Sequence, residues 1–130
     1  MLRGSAGLRS VADLVGLPYK AHGRGEDGVD CFGLVWLIAM RNGTPIPDPW
    51  HDGHEPGFVE LAGALGLRRI ESIQPGCMIE MEAEGALHLG CALDMGRMIH
   101  ATKDEGVVVD SIGKYPVKGY WAFKESAWAS

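Results

Sequence analysis

Gly28-Val29-Asp30-Cys31-Phe32-Gly33-Leu34-Val35 is the stretch whose reading decides the fold. An acidic residue stands directly before a cysteine, and an apolar run follows at helical spacing through Leu34, Val35 and Ile38. Asp30 suits an N-cap, because its carboxylate can accept a hydrogen bond from the orphan N–H groups of a first turn. The spacing predicts a helix from Cys31 to about Arg41, closed by Asn42-Gly43. Cys31 then stands at the positive end of the helix macrodipole, where thiolate is favoured over thiol. That placement fits a nucleophile. An unpaired cysteine at the start of an apolar helix is also read as a small buried hydrophobe.

Outward from this stretch, the chain reads as one domain over residues 1–130. Ala6–Val15 reads as a short amphipathic helix, Lys20–Gly28 as a glycine-rich loop, and Thr44–Pro56, with four prolines, as a surface segment able to cover a groove. Gly57–Leu65 reads as a second helix. From Ile73-Gln74-Pro75-Gly76 onward the pattern changes to strands: Cys77–Met81, Leu87–Leu93, Met98–Ala101, Val107–Asp110 and Gly119–Phe123. Helices followed by an antiparallel meander argue for an α+β domain.

The formal charge of −5, without a basic cluster, argues against nucleic acid as a partner. No apolar run is long enough for a membrane span, and Arg3, Arg9 and Asp13 interrupt any signal-like run near Met1. The expectation is a protein made in the cytoplasm without a signal peptide of its own. Three cysteines cannot all pair within the chain, so a free thiol is expected, with Cys77 and Cys91 as core residues of strands. A cofactor is not expected. His51-Asp52-Gly53-His54 has metal-ligating residue types, but in a Gly/Pro-rich loop it reads as solvated polar residues, and no metal is expected.

A cysteine nucleophile needs a base that is near in space. His88 and His100 lie twelve residues apart around a tight turn at Asp94-Met95-Gly96, which makes them candidate cross-strand neighbours. One would face Cys31 and the other would fix its tautomer; alternatively, both are half-buried rings satisfied by the backbone. His22, in the glycine loop before Cys31, is placed to line a cleft. Glu80, Glu82 and Glu84 read as a solvated face, and Ser72, Ser111 and Asp110 have no nucleophile context.

Three stretches together resemble the NlpC/P60 papain-like cysteine peptidases. Pro18-Tyr19 with the glycine loop and Asp30-Cys31-Phe32-Gly33-Leu34-Val35 resembles the family's cysteine motif. Ile73-Gln74-Pro75-Gly76 resembles its L-x-P-G-D motif, with Cys77 in place of the aspartate. His88-Leu89-Gly90 through Ile99-His100-Ala101 resembles its histidine hairpin. The resemblance implies a papain-like α+β fold with the cysteine helix packed on an antiparallel sheet. It also implies Cys31 as nucleophile, His88 as base and His100 as the orienting residue. Tyr19 and Asp30 would lie beside the nucleophile and help to position a substrate and its free amine. The implied reaction is hydrolysis of peptidoglycan stem peptides, often between γ-D-glutamate and the diamino acid. Phe32 stands where cell-wall hydrolases of the family commonly carry serine, which puts a phenyl ring at a substrate-contacting position. A bulky residue there resembles the phage-encoded branch, and with it a place in a phage or prophage tail among tail-tip proteins. Two other readings remain: a structural tail-tip or assembly protein that does not use its site, and an amidase or acyltransferase on the same scaffold.

Overall fold

The computed structural model describes residues 11–50 and 56–123. Helix α1, Cys31–Arg41, has the bounds expected from the sequence. Asp30 caps it: with extended backbone, its Oδ1 accepts the Gly33 N–H at 2.7 Å. At the other end the Asn42 amide donates to the Ile38 carbonyl at 2.9 Å, and Gly43 turns the chain with φ of 77°. Phe32, Leu34, Val35, Ile38 and Ala39 are buried on one side of α1. Each of the larger side chains contributes roughly 1.5–3 kcal/mol by leaving water. Helix α2, Phe58–Leu65, ends at Gly66 in the left-handed conformation.

Two short strands, β1 (Arg24–Gly25) and β2 (Gly28–Val29), pair as a hairpin within the stretch read from sequence as a loop. Six further strands form one antiparallel sheet: β3 Leu67–Ile70, β4 Met78–Ala83, β5 Ala86–Ala92, β6 Arg97–Thr102, β7 Gly106–Ser111 and β8 Val117–Phe123. Their order is β3-β8-β4-β5-β6-β7. β4 to β7 are the expected meander, and β8 returns to the free side of β4. Strand β3 was absent from the sequence reading. It exists because Leu67–Ile70 pairs with Tyr120–Phe123, fifty or more residues later. At the N-terminal end the expected amphipathic helix is, in its described part, only a 3-10 turn, Ala12–Leu14, flanked by non-helical Val11 and an extended Val15; residues 6–10 lie outside the described residues.

Helix α1 covers one face of the sheet, against Met78, Leu89 and Phe123 at one end and Cys91, Ile99, Ala101 and Val107 at the other. The opposite face carries a separate cluster that includes Ile79, Met81, Ala92 and Met98. Alternation along β5 and β6 puts His88 and His100 on this second face. Residues 44–50 of the Pro-rich segment lie along α1. The Trp36 indole N–H donates to the Ile46 carbonyl at 3.1 Å, Arg24 pairs with Asp48 at 2.7 Å, and Trp50 stacks on Phe32. Among the described residues no helix is long and apolar enough to cross a membrane.

Candidate active site

The cysteine motif is built around close backbone packing. A Cβ on Gly33 would collide with the carbonyl oxygen of Gly23, so glycine at this position lets the β1–β2 hairpin sit on the first turn of α1. Arg24 fastens the assembly: its guanidinium donates to Asp30 Oδ1 at 2.9 Å and to the Gly23 carbonyl at 2.8 Å, and holds Asp48 with its other edge. Asp30 Oδ2 accepts the His22 N–H at 2.9 Å. Both Asp30 oxygens are therefore engaged in holding the hairpin to the helix start.

The Cys31 sulfur lies at the backbone of β5. β5 and β6 pair only from Gly90–His100 to Ala92–Met98. Where that ladder stops, the N–H of Leu89 points at the Cys31 sulfur, joined by the N–H groups of Phe32 and Cys31 itself. The helix start thus meets β5 at the peptide that links His88 to Leu89. These donors favour thiolate, but burial outweighs them, and the Asp30 carboxylate adds to it: the thiol is pushed up to about 11. This corrects the expectation of a thiolate drawn from the macrodipole, since the desolvating sheet was not visible in the local sequence. Iodoacetamide should then alkylate native protein at a rate still rising above about pH 9, because a raised pKa moves thiolate formation to higher pH. Cys77 and Cys91 are buried, so the rate reports Cys31. A plateau below about pH 7 would overturn this assignment.

The two imidazoles meet as the hairpin predicts. His88 Nε2 lies 2.8 Å from His100 Nδ1, with the rings edge to face. The ladder pairs His100 with Gly90, so His88 is its diagonal neighbour. Burial, and then the adjacent His100, push the His88 imidazole down to about 4, leaving it neutral near pH 7. His100 has no exposed surface, and its Nε2 is 2.7 Å from Asp110 Oδ2. The His100 hydrogen bond, followed by Lys114 Nζ at 3.2 Å, holds the Asp110 carboxyl below the usual range. Tyr115 packs edge-on against both rings.

Asp110, which the sequence reading sets aside for want of a nucleophile context, and Tyr115, which it does not single out, both belong to this cluster. The available signal was register: β6 and β7 pair Met98 with Asp110 and His100 with Val108, so Asp110 shares a face with His100 one step along.

Phe32 is corrected. Its ring is 1% exposed, stacked under Trp50 at 4.6 Å with Arg24 5.1 Å above it, and is out of a substrate's reach. Tyr19 bridges to Val29 and packs beside the α1 cluster. His22 is exposed and lines a cavity of about 330 Å³ formed by the 20–28 loop, which reaches neither Cys31 nor either imidazole. His51, Asp52 and His54 lie outside the described residues. Among the described residues no three His, Cys, Asp or Glu side chains are grouped to hold a metal ion.

Comparison with solved structures places this geometry. The NlpC/p60 domain of the peptidoglycan hydrolase SagA superposes with a TM-score of 0.69 at 22% identity, covering 94% of this chain and all of that one. NlpC2 from Trichomonas vaginalis gives 0.61 at 26% identity over 86% of this chain, and an NlpC/P60 family protein from Bacillus cereus ATCC 10987 gives 0.59 at 21% over 89%. The chain spans 45% and 41% of the latter two. No curated protein matches. The α+β architecture is that of these papain-like domains, the NlpC/P60 family profile matches residues 16–125, and the chain belongs to the NlpC/P60 family.

Proposed function

We propose that this protein is a cysteine peptidase that hydrolyses peptidoglycan stem peptides, with Cys31 as nucleophile, His88 as base and His100 as its orienting partner. The observation that carries the reading is the hydrogen-bonded His88–His100 pair at the point where the Cys31 sulfur meets the backbone of β5. Kinship with the SagA domain, a peptidoglycan hydrolase, supports the substrate class. The bond between γ-D-glutamate and the diamino acid is the proposed target, and an amidase or acyltransferase on this scaffold is the alternative chemistry.

With thiol and imidazole both neutral at rest, the thiol proton passes to His88 as sulfur attacks the carbonyl carbon. The backbone N–H groups at the start of α1, that of Cys31 among them, are the proposed oxyanion donors. The C–N bond then breaks, and His88 returns its proton to the leaving amine. Water, deprotonated by His88, releases the acyl group and restores the thiol.

We further propose that the protein works from a phage or prophage tail, alongside tail-tip proteins. Support for this placement comes from Phe32, whose bulk after the cysteine resembles the phage-encoded branch. The raised thiol pKa favours a second reading, a structural tail protein with an unused site.

The test is digestion of purified sacculi by the wild type beside Cys31→Ala, with fragments identified by mass spectrometry. A new free amine on the diamino acid, released by the wild type alone, is expected. Intact sacculi beside folded wild type would turn the conclusion to the structural reading.

A further inference from the structure

We infer that Asp110 is a positioning residue that sets the proton arrangement of both site histidines, so that the nitrogen of His88 left bare is Nδ1. The use of that nitrogen as a base rests on the peptidase reading; the proton arrangement itself does not.

The argument is one of donors and acceptors. An ionised carboxylate only accepts hydrogen bonds, so His100 Nε2, 2.7 Å from Asp110 Oδ2, must carry a proton. In the neutral ring that is the one proton, and His100 Nδ1 is an acceptor. It lies 2.8 Å from His88 Nε2, which therefore donates. His88 is neutral, its one proton is on Nε2, and Nδ1 is left with its lone pair. A proton leaving a thiol has a place to go only at Nδ1. Reversing the first bond reverses the rest: a proton on His100 Nδ1 would make His88 Nε2 the acceptor and place the His88 proton on Nδ1, where it blocks base action. Local packing secures the direction. Lys114, a donor only, approaches the same Oδ2 at 3.2 Å and keeps an oxygen there, while Tyr115 closes over both rings. Met81, paired with His88 across β4, brings no charge to this face.

The proposal is tested on the folded full chain labelled with ¹⁵N-histidine, by long-range ¹H–¹⁵N correlations at about pH 7, which distinguish the two tautomers. Both rings are expected as Nε2–H in the wild type. In Asp110→Ala a share of His88 is expected to move its proton to Nδ1. In Asp110→Asn the side-chain carbonyl, held toward His100 by Lys114, is expected to restore the wild-type pattern.

A wild-type His88 carrying its proton on Nδ1 overturns the inference, and that spectrum suffices if Asp110→Ala does not fold. Unmoved tautomers in a folded Asp110→Ala overturn it too, even if activity falls. For active protein, kcat should fall in proportion to the Nδ1–H fraction with KM unchanged, a loss of about tenfold if nine molecules in ten hold the wrong tautomer. Inactive protein with both rings as Nε2–H would refute the peptidase reading and leave the proton arrangement standing.

Discussion

Cys31→Ala should reduce stem-peptide hydrolysis to background, and His88→Ala should lower kcat/KM by about 10²–10⁴-fold. His100→Ala should lower it less than His88→Ala. The order follows from what each group does in the proposed reaction. No other thiol can substitute for Cys31, because Cys77 and Cys91 are buried. The thiol has to shed its proton as it attacks, since burial holds it up to about 11, so the proposed step needs the base at His88. His100 acts through His88, and its loss leaves a competent but less well directed imidazole. Thermal unfolding should move little for Cys31→Ala, as the smaller side chain only trims one end of α1. Rates from the three variants on a synthetic stem peptide, with circular dichroism confirming the fold, check the series. Hydrolysis by Cys31→Ala, or equal losses in the two histidine variants, would remove the assigned roles.

The parts of this site that were legible in the sequence are those fixed by local rules. Asp30 before an apolar run implied an N-cap, and its Oδ1 accepts the Gly33 N–H as the rule requires. A tight turn between His88 and His100 implied facing rings, and they hydrogen-bond. What escaped depends on partners distant in the chain. Leu67-Arg68-Arg69-Ile70 has no pattern of its own that demands a strand; it becomes β3 by pairing with β8. Asp110 is two residues away from the position opposite His100, so its role depends on a register that a run of three valines does not declare. The thiol is the sharpest case. Helix position argued for a lowered pKa, while burial of the sulfur against the sheet raises it.

Phe32→Ala should destabilise the protein by about 3–5 kcal/mol, the usual range for removing a buried phenyl ring. Against a total of about 5–15 kcal/mol for a domain, that is a large share. Phe32 is 1% exposed and belongs to the cluster of Val35, Ala39, Leu61, Met78 and Leu89, so the vacated space borders both α1 and the sheet. The ring also supports contacts that hold the Pro-rich segment: Trp50 stacks on it at 4.6 Å and the Arg24 guanidinium lies above it at 5.1 Å. Without it, Trp50 loses its platform and the Asp48–Arg24–Asp30 bridge loses its apolar support. Phe32→Ser, which installs the residue common at this position in cell-wall hydrolases, should be at least as damaging, because it adds a hydroxyl to an apolar site. Urea unfolding measures both effects. A ring that served the substrate instead would give the opposite pattern, with stability changed by less than about 1 kcal/mol and a raised KM. The expected pattern, a lower urea midpoint with KM little changed under conditions where the variant is folded, makes the residue after Cys31 a fastening for segment 44–50, which helps set where that segment lies over α1.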